Sequence, residues 1–295
     1  MLSAGQKKSL RALISMMDEP DEKIFHTLKD QVLSFKMDAY PLLEDAWLAA
    51  NDLLVTNRLE ELMEEVTFHY IYEEMEIWLN GQEHNLLRPM LLINLLQVPG
   101  SDISFIEKEI EILVRDAWLE INENLTALEK IKVLNHIFYT VHQYESPKVA
   151  DETLSPFFLS HLLKNKTGNP TSMGILYLII GQFLELPLFG VNLPGHLILS
   201  YVNDRFKLKD KKKYNSADVM FYVNPFNNGA VFTKSEIELY IKQLKISPKE
   251  KYYLPSDNIS IIKRYLKELE KLYKLNKLDS KLSFIQRLSD LFYKY

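Results

Sequence analysis

The segment from Ser172 to Leu184 constrains the fold of this chain more than any other. We interpret it as a helix that is apolar on nearly every face, and it contains the most apolar run in the sequence. That run carries Tyr177 and Gln182 and stops at Glu185, so it is too short to cross a bilayer. A helix without a polar face has to be buried. The sequence therefore predicts a buried helix here, and no membrane-spanning segment.

The residues that follow this helix change from a helical to a strand pattern. Segments rich in Val, Ile, Leu, Phe and Tyr predict strands at Phe189–Leu193, His196–Val202, Arg205–Leu208 and Val219–Val223. Pro194-Gly195 separates the first two strands, and Asn203-Asp204 is a tight hairpin signal between the second and third. Thr233, with Glu236 three residues later, predicts a capping box at the start of another helix. The pattern favours a small antiparallel sheet.

Helices predominate on both sides of this region. Residues 1–145 read as successive amphipathic helices with short polar breaks, which is typical of a helical bundle or repeat. The longer predicted helices are Tyr40–Leu54, Arg58–Leu79, Leu86–Leu96, Ile103–Ile121 and Ala127–Tyr144. From Asp257 the tail predicts a helix pair that must dock on the body, on another copy or on a partner. We therefore expect an α+β protein with a helical repeat-like domain at 1–145, a mixed core at 146–250 and a C-terminal helix pair at 251–295.

The composition limits the chemistry that is open to this chain. None of its 295 residues is cysteine, which excludes a thiol enzyme, a disulfide framework and a thiolate metal site. The seven histidines show no paired metal-ligand spacing, and no glycine-rich phosphate loop is present. A pI near 5.9 opposes nucleic-acid binding, and the first residues lack the apolar run of a secretory signal. We expect a cytoplasmic protein without metal or cofactor, and the sequence leaves its oligomeric state open.

Three short motifs stand in order in the second half of the chain. They read GNPTSMGILYL at Gly168–Leu178, GVNLPGH at Gly190–His196 and YVNPFNNG at Tyr222–Gly229. Each motif alone is weak evidence, but together at these spacings they resemble the transglutaminase-like superfamily. The similarity is to its bacterial branch, which is named after an invasion-gene regulator. The resemblance covers most of the chain, from acidic N-terminal helices through the core to a tetratricopeptide-like tail.

This resemblance implies a papain-like core and a site for covalent catalysis. In active members a cysteine begins the buried helix, a histidine opens the next strand and an aspartate lies on a later strand. The matching positions here are Ser172, at a helix start placed at Thr171-Ser172, then His196 and Asn224. A helix dipole contributes only about 0.3–1 kcal/mol, so it cannot ionise a hydroxyl as it can a thiol. Ser172 would need His196 as a true general base.

Each of the three positions also has a structural interpretation. Ser172, or equally Thr171, can cap the helix N-terminus. His196 can hold helix to sheet through hydrogen bonds to Ser172 and Asn224, or it can act as a base or contact a ligand. Asn224 can serve as a turn residue before Pro225, or it can orient the imidazole.

The sequence leaves three functions open. The leading hypothesis is a non-catalytic pseudoenzyme that serves as an intracellular scaffold or regulator and binds a protein partner. The alternative is a serine-dependent hydrolase or acyltransferase that uses Ser172, His196 and Asn224 in a papain-like cleft. That alternative requires Ser172 Oγ within about 3 Å of an imidazole nitrogen. The third is a sensor that binds a small molecule or peptide in a cleft lined by Tyr177 and Phe226.

Overall fold

The structure is a computed structural model that describes residues 2–98, 100–147, 154–203 and 217–294. The chain forms two compact units, one of Met1–Asn80 with Leu92–Ser101 and the other of Gly81–Leu91 with Asp102–Tyr295. Most of the described residues are helical, and four strands lie in the middle of the second unit. This confirms the predicted α+β class. The division into domains at 1–145, 146–250 and 251–295 stays a prediction.

The first unit is built from amphipathic helices. Its helices are α1 (Ala4–Ile14), α2 (Glu22–Leu33), α3 (Tyr40–Ala49) and α4 (Leu53–Asn80). Their apolar faces form one core that includes Leu10, Val32, Leu43 and Leu62. The predicted single helix Tyr40–Leu54 is wrong, because the chain becomes extended at Ala50 and restarts as α4. Asp52 causes the restart: its carboxylate accepts a hydrogen bond of 2.8 Å from the Leu54 N–H.

The second unit surrounds a four-stranded sheet with helices. The division between the units falls within α5 (Leu87–Gln97), after Leu91. The helices of the second unit that follow are α6 (Ile103–Glu120), α7 (Ala127–Asn135), α8 (Leu159–Asn165), α9 (Pro170–Phe183), α10 (Lys234–Gln243), α11 (Asn258–Leu275) and α12 (Asp279–Leu291). A π-helical turn, His136–Val141, continues α7. Every residue of α9 from Thr171 to Gly181 is buried, as the apolar pattern predicts.

The sheet is antiparallel with strands in sequence order. Its strands are β1 (Leu188–Leu193), β2 (His196–Val202), β3 (Val219–Asn224) and β4 (Ala230–Phe232). Three of the predicted strands are confirmed, whereas β4 was not predicted because three residues carry too little pattern. The predicted strand Arg205–Leu208 and the Asp204 half of the predicted hairpin lie outside the described residues.

The two faces of the sheet are covered by different helices. Side chains alternate along a strand, so His196 and Leu197 point to opposite faces. A Cβ added at Gly174 of α9 would lie 3.0 Å from the Leu197 side chain, which places α9 on the Leu197 face. Ile198 points to the same face as His196 and packs with Ile237 of α10. The sheet therefore separates α9 from α10.

The C-terminal helices dock on this same unit. A Cβ added at Gly190 of β1 would meet the Ile261 side chain of α11, so helix and strand are in close contact. The Tyr265 hydroxyl of α11 donates a hydrogen bond of 2.7 Å to the Phe157 carbonyl. Of the three docking options open from the sequence, the structure shows docking on the chain's own body. No helix in the described part of the chain has the length and apolar character needed to cross a membrane.

Candidate functional site

Ser172 lies inside a capping box at the start of α9. The helix begins at Pro170 with Asn169 as its N-cap, whose Oδ1 accepts the Thr171 and Ser172 N–H groups at 2.9 and 2.7 Å. Ser172 Oγ completes the box by accepting the Asn169 N–H at 3.1 Å. The predicted N-cap at Ser172 or Thr171 is therefore wrong by two to three residues. Proline fits the first helical position and asparagine is a strong cap, so the helix starts earlier than predicted.

The Ser172 hydroxyl is closed off from solvent. Its side chain has no exposed surface, and Oγ donates a hydrogen bond of 2.7 Å to the Pro156 carbonyl. A Cβ added at Gly168 would lie 2.7 Å from this Oγ and 2.8 Å from Leu162, so no free space adjoins the hydroxyl on that side. The Ser172 O–H is committed to the Pro156 carbonyl and one Oγ lone pair to the Asn169 N–H, so the hydroxyl helps to fix the helix start.

His196 opens β2 and faces α10. Its ring lies edge-on to the Tyr240 ring, with centroids 5.6 Å apart. Nδ1 is buried, and no described residue supplies a hydrogen-bond partner for it. Burial, and secondarily the positive charge of Arg264, lower the pKa of the imidazole from its usual 6.5. The ring is therefore a neutral group at neutral pH.

Asn224 ends β3 as a turn residue. Its Oδ1 accepts a hydrogen bond of 3.1 Å from the Phe226 N–H, and its carbonyl accepts one of 3.0 Å from the Gly229 N–H. Gly229 has φ +65°, and an added Cβ there would overlap the Asn135 side chain. Asn135 Nδ2 donates to the Gly229 carbonyl at 2.9 Å, which ties this turn to α7.

The structure brings two of the three predicted site residues together. His196 and Asn224 line one cavity of about 300 Å³ beside α10, and Ser172 is not part of its lining. The predicted hydrogen bond from the His196 ring to Ser172 does not form, because α9 lies across the sheet from that ring. The one to Asn224 does not form either, and Asn224 Oδ1 accepts the Phe226 N–H instead. The cleft proposed around Tyr177 and Phe226 is also not found: Tyr177 is fully buried, and its hydroxyl donates to Asn135 Oδ1 at 2.8 Å.

Sequence reasoning missed a polar network that joins α9, α11 and the β1–β2 turn. Thr171 Oγ1 donates a hydrogen bond of 2.5 Å to Glu268 Oε2, and Arg264 Nε donates one of 2.8 Å to Glu268 Oε1. Arg264 Nη1 also donates to the Leu193 and His196 carbonyls at 2.9 and 3.0 Å. The spacing of four residues between Arg264 and Glu268 on a helix signals an ion pair. No sequence pattern signals the contacts to Thr171 and the turn.

This network places an internal carboxylate at the N-terminus of α9. The N–H groups of Thr171 and Ser172 at this helix start are already bonded to Asn169, but the helix dipole still favours a negative charge there. In an active thiol enzyme of this architecture that position favours the thiolate. In this chain Glu268 supplies the negative charge instead, with Thr171 and Arg264 as its hydrogen-bond donors.

Comparison with known proteins establishes the family. The sequence profile described as "Transglutaminase-like superfamily" matches residues 105–267, which is more than half of the chain. The chain belongs to the transglutaminase-like superfamily. This confirms the resemblance that the three motifs predicted.

Bacterial proteins are among the relatives of this superfamily member. UPF0162 protein YchA of Escherichia coli (strain K12) is 28% identical over 166 residues, 55% of this chain and 56% of YchA. Protein SirB1 of Salmonella typhimurium is 28% identical over 170 residues, 56% of this chain and 58% of SirB1. A UPF0162 protein of Buchnera aphidicola subsp. Baizongia pistaciae is 32% identical over 133 residues, 45% and 44% of the two chains. The match thus spans a little over half the length of YchA and SirB1, and no solved structure matches.

The three motifs place Ser172 at the nucleophile position of the superfamily and Asn224 at the carboxylate position, and this assignment stays a prediction. The matched segment, residues 105–267, runs from α6 into α11 and so includes Arg264. Among the described residues, no group of three or more His, Cys, Asp or Glu is placed to hold a metal ion.

Proposed function

We propose that this chain is a non-catalytic member of the transglutaminase-like superfamily that acts by binding a protein partner in the cytoplasm. One observation carries the first half of the proposal: Ser172 lies on the α9 side of the sheet and His196 faces α10. A general base must reach its nucleophile directly or through one water. The sheet between these two side chains prevents that contact.

The groups around His196 support the same conclusion. The lining of the His196 cavity holds no serine or threonine, and its one hydroxyl, that of Tyr240, donates to the Pro194 carbonyl at 3.1 Å. Asn224 is neutral, so it cannot offset the charge of an imidazolium as a carboxylate does. The serine-dependent alternative therefore lacks both a nucleophile beside the base and a charge partner for it.

Exposed apolar side chains support a binding role. Trp118 and Leu119, adjacent at the end of α6, are 67% and 69% exposed. Tryptophan is among the residues that dominate the energy of protein interfaces. A solvent-exposed Trp-Leu pair of this kind is a candidate anchor for a partner protein.

A chemical probe tests the absence of catalysis. A serine-directed fluorophosphonate should not label the wild-type chain, and its signal should match that of the Ser172→Ala variant. Labelling of the wild type that disappears in Ser172→Ala would contradict the proposal.

Quantitative affinity capture tests the binding role. Proteins captured by the wild-type chain should be recovered equally with His196→Ala and should be lost with Trp118→Ala. Phe183→Ala is the matched control, because Phe183 is also an exposed aromatic residue, at 55%. Loss of capture with His196→Ala at unchanged folding would contradict the proposal, and so would full capture with Trp118→Ala.

A further inference from the structure

The exposed side of α6 carries two carboxylates in line with its exposed tryptophan. Glu107, Glu111 and Trp118 are spaced by four and seven residues, so they lie along one side of the helix, and all three are exposed. Neither carboxylate has an ion-pair partner among the described residues. The nearby cation of Arg115 is paired with Asp116 at 3.0 Å. We call Glu107, Glu111 and Trp118 the α6 stripe, and its negative charge is not compensated within the described chain.

A stripe of opposite charge with the same spacing lies on α11. Lys263, Lys267 and Lys274 are also four and seven residues apart, and we call them the α11 stripe. Lys267 and Lys274 are exposed, whereas Lys263 is partly buried with its ammonium group 5.6 Å from the centroid of the Tyr293 ring. None of the three has an ion-pair partner among the described residues. One carboxylate on this side of the helix, that of Glu270, accepts a hydrogen bond of 3.4 Å from a side chain of α12.

The charges within each stripe repel one another. Glu107 and Glu111 are like charges one turn apart, and Lys263 and Lys267 are a second such pair, an arrangement that destabilises a helix. A surface of the opposite charge would relieve this repulsion. No ion pair joins α6 to α11 in the described part of the chain, so the two stripes of one copy do not neutralise each other.

The matched spacing makes the two stripes complementary. When α6 and α11 of two copies lie side by side in the same direction, the two carboxylates face the first two lysines of the α11 stripe. The same alignment brings Trp118 opposite Lys274. A cation over a tryptophan ring is the most favourable of the cation–π contacts. Each stripe extends over about 16 Å of helix, so the paired surfaces also agree in length.

We propose that the α6 stripe of one copy docks on the α11 stripe of a second copy of this chain. The inference rests on the proposed binding role of Trp118 and names the partner at that surface. Because the two stripes are on different helices, the contact is head-to-tail. An interface of this size is a transient one, so we expect a dissociation constant of about 100 μM.

Sedimentation equilibrium of the purified full chain tests the self-association. At low salt the apparent mass should rise above the 34.6 kDa of one chain as the concentration passes about 100 μM. The association should weaken at about 0.5 M salt, because salt screens exposed charges. Trp118→Ala should weaken it about tenfold, since tryptophan is among the residues that dominate interface energies.

Charge reversal tests the pairing of the two stripes. Glu107→Lys combined with Glu111→Lys should abolish association, because both stripes of every copy are then basic. Lys263→Glu combined with Lys267→Glu should abolish it for the converse reason. A chain with all four changes should associate again, and so should an equal mixture of the two double variants, because opposite charges then face each other once more. Damage to the fold would not be repaired in this way.

A control with the same change in net charge separates a local from a general effect. Glu83→Lys combined with Glu238→Lys alters two exposed carboxylates that lie outside both stripes. This variant should associate as the wild type does. Circular dichroism and thermal melting establish that each variant is folded.

Three results would overturn the inference. The wild-type chain could keep the mass of one copy up to about 500 μM at low salt. Reversal of either stripe could leave the association unchanged, or neither the mixture nor the fourfold variant could recover it. Each of these results leaves the proposed function to its own test: capture of a different protein that is lost with Trp118→Ala would support protein binding while excluding a second copy as the partner.

Discussion

Ser172 and His196 lie on opposite faces of the four-stranded sheet. The separation follows from strand geometry, because His196 and Leu197 are neighbours on β2 and only Leu197 points toward α9. A one-residue shift of register would bring the imidazole to the α9 side. Leu197 is packed on the α9 face at 0% exposure and Ile198 on the α10 face at 1% exposure. The shift is opposed because it would remove both side chains from these packed positions.

The Ser172 hydroxyl should contribute to stability rather than to reactivity. Ser172→Ala removes the bonds to the Pro156 carbonyl and the Asn169 N–H and leaves both groups with a missing partner. We expect a loss of about 1–2 kcal/mol in the free energy of unfolding, measured by urea denaturation. Ser283→Ala, at an exposed position on α12, is the control and should change stability by less than about 0.5 kcal/mol. An unchanged stability in Ser172→Ala would show that the capping box is not formed.

The Glu268 carboxylate should stabilise the start of α9. Glu268→Gln keeps the shape of the side chain but removes the charge that faces Thr171, Arg264 and the helix N-terminus. We expect a loss of about 0.5–1 kcal/mol in the free energy of unfolding, because these groups are partly buried. The loss should shrink at high salt. Glu238→Gln, an exposed position on α10, should have no comparable effect, and equal effects of the two changes would contradict this account.

The His196 imidazole should titrate below its usual pKa of 6.5. Burial, followed by the Arg264 charge, disfavours the protonated ring in the folded state. The unfolded chain then binds more protons, so the contribution of His196 to stability is present above pH 6.5. It is lost as the pH falls from 6.5 toward the lower pKa of the folded state.

An NMR titration of the imidazole C–H signals measures this pKa directly. Arg264→Gln should raise the pKa of His196 toward 6.5, while Lys267→Gln, at an exposed position on the same helix, should leave it unchanged. A His196 pKa at or above 6.5 in the wild type would contradict the described environment.

The turn that follows β3 should depend on glycine at position 229. Gly229 combines a positive φ of 65° with a backbone that touches Asn135, so any side chain is strained there. We expect Gly229→Ala to lower the free energy of unfolding by about 2 kcal/mol or more. Gly5→Ala is the control, because a Cβ there meets nothing within 4 Å and alanine suits the helix. An unchanged free energy of unfolding in Gly229→Ala would contradict this account, because it would show that the turn accommodates a side chain beside Asn135.

Patterns that repeat along the chain predicted most of the fold. The amphipathic helices and three strands follow from hydrophobic periodicity, which is set by neighbouring residues, and the buried helix follows from an almost unbroken apolar run. The break before α4 was missed because it depends on one capping residue, Asp52. The start of α9 was missed because it depends on another, Asn169. A cap shifts the boundary of a helix without changing its hydrophobic periodicity.

The candidate site could be predicted only in part. The motifs identified His196 and Asn224, which do share a cavity, and they placed Ser172 at a helix start. They could not reveal that the sheet separates Ser172 from His196, because the direction of a side chain depends on strand register. The contacts of Glu268 and Arg264 also escaped prediction, since they join residues that are up to 97 positions apart.

A single cysteine introduced at position 172 tests the central claim most directly. The chain has no cysteine, so Ser172→Cys creates the one thiol in the protein. Its rate of reaction with iodoacetamide should be at least about 100-fold below that of Ser283→Cys, and it should rise only when the chain unfolds, because position 172 is fully buried. Rapid reaction in the folded protein, slowed by a further His196→Phe change, would show a working dyad and contradict the separation of Ser172 from His196.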